Sequence, residues 1–99
     1  MGLKYEYREA IDQFRSRLCS NIKIRHMLPD LIGTITYEES DDLQKLSQDK
    51  ALNSEFIRIL TTRSDEDFEK FCQLLRKSDS NTSKALGNDL QKATKTGNN

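Results

Sequence analysis

"SDEDFEKFCQLLRKSD", Ser64 to Asp79, opens with a hydroxyl and three acids, then places Phe71, Cys72 and Leu75 three, four and seven residues after Phe68. That period lays one apolar stripe along a helix. Ser64 is positioned to cap the helix, and Asp65, Glu66 and Asp67 favour the positive end of its dipole. The remaining positions are too polar for the helix to stand alone, so other elements must cover the stripe.

Outward from this stretch the same period recurs. Tyr7, Ala10, Ile11, Phe14 and Leu18 form a first stripe, and Ile22, Ile24, Met27, Leu28, Leu31 and Ile35 a second. Thr36 with Glu39 three residues later reads as a capping box that opens a short third helix carrying Leu43 and Leu46. Leu52, Phe56, Ile59 and Leu60 make a fourth stripe, with Ser47 or Asp49 as its cap. Ala85, Leu86 and Leu90 mark a weaker sixth, for which Asn81-Thr82-Ser83 supplies the N-cap. Pro29, Gly33, Gly87 and Gly97 are the expected division points. Pro29 removes a helical bond to the carbonyl of Arg25, so helix two is either kinked there or starts late. No window alternates apolar and polar residues with β-branched content, so no sheet is expected. Six short helices imply a compact all-α bundle over residues 1–93, and 94–99 read as a disordered tail.

At 99 residues the chain holds one domain and one modest core. Hydrophobic residues are 34% and charged residues 32%, and it is the periodicity of the apolar ones that argues for folding over disorder. No apolar run approaches the roughly 18 residues of a membrane span, and no signal peptide is evident at the N-terminus, so the expected location is cytoplasmic, with no membrane partner. Met1-Gly2 begins like a myristoylation signal, but Glu6 stands where that signal wants Ser or Thr. Asn81-Thr82-Ser83 also matches the glycosylation sequon, which has no use without a secretory route.

Catalytic chemistry is hard to assemble from these residues. His26 is the only histidine, and Cys19 and Cys72 lie 53 positions apart, so neither a metal set nor a disulfide is expected and both thiols are assigned to the core. Cys19 with His26 is the one conceivable nucleophile pair, and nothing beside it suggests an oxyanion hole. The four glycines are isolated, so no phosphate-cradling loop exists. The reading is a non-enzyme without catalytic residues, metal or cofactor.

Charge is unevenly placed although 16 basic and 16 acidic residues cancel. Residues 1–25 hold six basic residues against three acids, 26–49 one against six, and 50–63 three against one. Helices one and four are therefore basic, and two and three acidic. If each pair were adjacent, the molecule would have two opposite poles and could bind its own copies head to tail; if the segments interleave, the charges are ordinary solvated faces. An alternative uses Arg8, Arg15, Arg17, Lys23 and Arg25 as a helical nucleic-acid-binding face, although the acidic segment that follows would repel a duplex.

The order "REAIDQFRSRLCSNI", "HMLPDLIGTITYEESDDLQKL" and "FIRILTTRSDEDFEKFCQLLRKSDSNTSKAL" closely resembles a caspase recruitment domain (CARD) of the death-fold superfamily, over roughly Leu3 to Ala93. Pro29, within a helix two that the family usually keeps unbroken, and Ser64, at a turn often held by Gly, depart from the usual pattern. The resemblance implies a six-helix antiparallel Greek-key bundle with helices one and four on one face and two and three on the opposite one. It implies homotypic binding to another CARD-containing protein, to itself, or both, in some cases as a filament, in apoptosis or innate immune signalling. By position it implies a basic face of Arg15, Lys50 and Arg58, and an acidic face of Asp30, Glu38 and Glu39 extended by Asp41 and Asp42. No nucleic acid is expected as a partner on this reading.

Overall fold

The computed structural model describes residues 2–95, and six α-helices run through them: α1 (Tyr5–Ser20), α2 (Ile24–Leu31), α3 (Tyr37–Gln44), α4 (Asp49–Leu60), α5 (Asp65–Lys77) and α6 (Asn81–Lys95). Among the described residues there is no strand, only one isolated bridge between Ile32 and Ile35. Six helices are what the sequence resemblance implies.

α5 forms as its sequence predicts. The Ser64 hydroxyl accepts from the Asp67 amide at 3.2 Å while the Asp67 carboxylate accepts from the Ser64 amide at 3.3 Å, so two orphan donors are satisfied reciprocally. Phe68, Phe71, Cys72 and Leu75 are all buried. Phe71 tilts against Phe56 of α4 with ring centroids 5.2 Å apart, and Phe68 stacks on Tyr7 of α1 at 4.9 Å. Leu18 and Leu60 complete the centre, whereas Phe14, part of the first apolar stripe, is only half-buried at its edge. α6 packs on α5 and α1, α1 on α4, and α2 and α3 lie against α4 and against each other.

The second stripe is not one helix. α2 has eight residues and takes Pro29 in its last turn, ending two residues later. Ile22 is buried in the connection before it and Ile35 in the turn after it. That turn depends on Gly33, whose φ of 110° lies in the left-handed region that favours glycine. Thr36 and Glu39 form the expected capping box of α3. At α4 the N-cap is Gln48, without a side-chain cap bond, and Asp49 is already the first helical residue. At α6 the Ser80 hydroxyl accepts from the Ser83 amide at 3.3 Å, so the cap lies one residue before the Asn81-Thr82-Ser83 triplet.

Gly87 does not divide anything: it is buried inside α6. A Cβ there would lie 2.9 Å from Leu75 Cβ and 3.0 Å from the Cys72 carbonyl oxygen, so the glycine sets how closely α6 approaches α5. Ala85, read as part of the apolar stripe, is exposed beside it. α6 continues to Lys95 with Thr94 buried, which carries the helix past the expected boundary at 93; residues 96–99, with Gly97, lie outside the described residues.

Asn53 is a polar residue in the core, 1% exposed. Its side-chain amide donates to the carbonyls of Cys19 at 3.0 Å and Ile22 at 2.8 Å, and its oxygen accepts from the Ile24 amide at 3.3 Å. One side chain of α4 therefore satisfies the end of α1 and the start of α2. Asn53→Ala is expected to cost about 2–4 kcal/mol, because buried backbone groups are left without partners. Denaturant unfolding measures this, and a loss under about 0.5 kcal/mol would mean that water replaces the amide freely.

Candidate interaction surface

The three basic candidates lie on α1 (Arg15), at the start of α4 (Lys50) and in its last turn (Arg58). Arg15 is exposed on α1, and its Nη2 pairs with Asp12 Oδ1 at 2.8 Å, one turn back. Lys50 is the second residue of α4, exposed and without an ion pair among the described residues. It lines a small cleft with Cys19, Ser20, Asn21, Lys23 and Asp49, where α1 ends and α4 begins. Arg58 lies eight residues further along α4, about 12 Å at the helical rise. Its Nε donates to both Glu55 carboxylate oxygens at 3.1 Å, and it borders a groove with Glu39, Asp42, Leu43, Leu46 and Ile59. The hydrogen bond to Glu55 and the charges of Glu55 and Glu39 push the Arg58 guanidinium further up from its ordinary value. Arg58 thus stands beside the acids of α3 in its own molecule, rather than with Lys50.

The acidic candidates also divide. Glu38 and Asp41 on α3 are exposed and have no ion pair among the described residues. Asp42 is exposed and reaches Lys45 Nζ at 3.6 Å. Asp30, near the end of α2, is exposed but borders a cleft shared with Lys70 and Lys77 of α5. Glu39 is half-buried and engaged internally: it accepts from the Thr36 amide at 2.9 Å and pairs with Arg63 at the α4–α5 turn. That removes it from the freely presented acids.

Burial pushes the Glu39 carboxyl up, yet the Thr36 amide and the Arg63 guanidinium outweigh it and hold the carboxyl below the ordinary glutamate value. A carboxyl lowered on folding contributes stability that is present above its unfolded pKa and fades as pH falls through the folded one. Glu39→Gln is accordingly expected to lower Tm at neutral pH and to converge on the parent in acid. A gap that is constant with pH would show that its charge is not what holds α3 to the turn.

Three arginines of the basic first segment have structural partners. Arg17 pairs with Asp89 at 2.9 Å, joining α1 to α6. Arg25 donates through Nε to Asp49 at 2.9 Å, through Nη1 to the Gln44 carbonyl at 3.3 Å, and through Nη2 to the Leu46 carbonyl, joining α2 to the α3–α4 connection. With Arg15 on Asp12, only Arg8 and Lys23 of the five proposed nucleic-acid contacts lack an ion pair among the described residues. None of these long-range pairs has a local signature in the chain, and Asn53 and Arg63 were missed for the same reason.

Thiol chemistry finds no support in this arrangement. Cys72 is fully buried, and burial, aided by the charge of Glu69, pushes its thiol up to about 12. Cys19 is half-buried rather than in the core, and His26 is exposed. Among the described residues no group of three or more His, Cys, Asp or Glu is placed to hold a metal, and no helix is long and apolar enough to cross a membrane.

A six-helix bundle whose charges are arrayed outside and whose Cys72 thiol is fully buried has the build of a binding module. The family model of the caspase recruitment domain matches residues 8–89, and the chain belongs to that family. Comparison with curated proteins and with solved structures finds no match. As a CARD, the chain is a homotypic protein–protein interaction domain, and CARDs are interaction domains rather than catalytic ones.

Proposed function

We propose that this CARD associates with other CARDs, its own copies included, by a head-to-tail contact between oppositely charged faces, and that in the cytoplasm it recruits signalling proteins of apoptosis or innate immunity. The basic face comprises Lys50 with Arg15 and, at its margin, Arg58. The acidic face comprises Glu38 and Asp41 with Asp42, flanked by Asp30, while Glu39 supports α3 from beneath. The observation that carries the reading is that Lys50 on α4 and Glu38 and Asp41 on α3 are exposed and without ion pairs among the described residues. Charges already neutralised within a chain offer less to a partner than free ones do.

The test is molecular mass against concentration. At low salt the domain is expected to grow with concentration, and added salt is expected to reverse the growth, since exposed charges are screened within a Debye length of about 8–10 Å near physiological ionic strength. A strict monomer at all concentrations would overturn self-association and leave a different CARD as the partner.

A further inference from the structure

Residues 70–88 contain four basic residues, Lys70, Arg76, Lys77 and Lys84, against one acid, Asp79. Where α5 and α6 pack, Arg76, Lys77 and Lys84 line a cleft of about 540 Å³ with Gln73 and Asn88. All five lining residues are hydrogen-bond donors, and none is acidic. We propose that this α5–α6 cleft binds clustered phosphate groups, as carried by a soluble inositol polyphosphate or by a phosphoinositide headgroup.

Arg76 Nη1 donates to Gln91 Oε1 of α6 at 2.8 Å, which fixes the guanidinium and leaves its other donors for an anion. Its stem passes over Gly87, where a Cβ would come within 2.9 Å of Arg76 Cγ. The glycine therefore leaves room for the arginine stem to lie against α6. Lys77 and Lys84 have no ion pair among the described residues. Basic residues in the last turn of α5 offset the negative end of its dipole, which accounts for Arg76 and Lys77. It does not account for Lys84, which lies at the start of α6, where the positive end disfavours a cation and the first turn holds no acid. An anion shared by the three removes that conflict. Phosphate suits the set, because a held guanidinium gives paired hydrogen bonds and the two ammonium groups act as point charges on neighbouring oxygens.

Titration with inositol hexakisphosphate at low ionic strength is expected to give saturable binding. Lys77→Glu/Lys84→Glu, and the milder Lys77→Gln/Lys84→Gln, are expected to weaken it about tenfold or more. Arg8→Glu/Lys23→Glu removes the same charge from the other end of the sequence and should leave it unchanged. Sedimentation with phosphatidylcholine vesicles containing a phosphatidylinositol bisphosphate separates the sources: co-sedimentation that the Lys77/Lys84 variants lose assigns the cleft to a headgroup, and binding of the soluble probe alone assigns it to a free polyphosphate. Equal binding by parent and Lys77/Lys84 variants, an equal loss in Arg8→Glu/Lys23→Glu, or no binding by the parent in either arm overturns the proposal.

Discussion

Phe71→Ala is expected to abolish the cooperative thermal transition of this domain. Phe71 is 0% exposed and sits where α5 meets α4, against Phe56. The chain has only four phenylalanines and no tryptophan, so few large side chains can move into the space. Truncating a buried phenylalanine costs about 3–5 kcal/mol through lost transfer energy and the cavity left behind. A domain of this size has a total stability of about 5–15 kcal/mol, so the variant would be left near the threshold of folding. Phe71→Leu, which refills most of the volume, should recover much of the transition. An alanine variant that melts as the parent does would place Phe71 outside the core and refute the packing of α5.

Charge reversal at the proposed faces is expected to have the largest effect on assembly. Lys50→Glu reverses a cation of α4, and Glu38→Arg one of the two acids of α3, that have no ion pair among the described residues; each alone should stay monomeric where the parent associates. Helical content and melting should hardly change, because exposed charges contribute little to folding. Mixed together, each variant retains one intact face, so a single contact can form between them and no further growth can follow. The expected product is a capped heterodimer. Arg58→Glu should weaken assembly less than Lys50→Glu, since Arg58 is bound to Glu55 and faces the acids of its own α3. If both single variants associate like the parent, or the mixture remains monomeric, the two-face contact is wrong although the fold stands.

Local features of the fold were legible where one segment holds all the relevant physics. The capping box at Thr36 and the cap at Ser64 each lie within four residues, although the return bond from Asp67 that completes a box at Ser64 was not read, and the α5 stripe is buried as its period requires. The extent of α2 was not legible, because apolar period reports burial, and Ile22 and Ile35 are buried in connections. Gly87 reads as a break, yet it is required by close packing between helices, which no local pattern reveals. The candidate surface was legible only as a distribution of charge. Which charges are free depends on pairs such as Arg17–Asp89, Arg25–Asp49 and Glu39–Arg63, distant in sequence and made only by the fold. Segment charge therefore weighted Arg15 and Lys50 alike, although Arg15 has Asp12 and Lys50 has no ion pair among the described residues.

Arg25 has a consequence for the regularity of any head-to-tail array. By gripping the Gln44 and Leu46 carbonyls and Asp49 at once, it fastens the tail of α3 to the head of α4, the helices that carry Glu38 and Lys50. In such an array the angle between the two faces is repeated at every subunit, so a small angular error is copied and compounds with length, turning a helical path into a wandering one. By tying the end of α3 to the start of α4, the guanidinium would hold the two proposed faces at one orientation, and the pitch of the array would be written into that single angle.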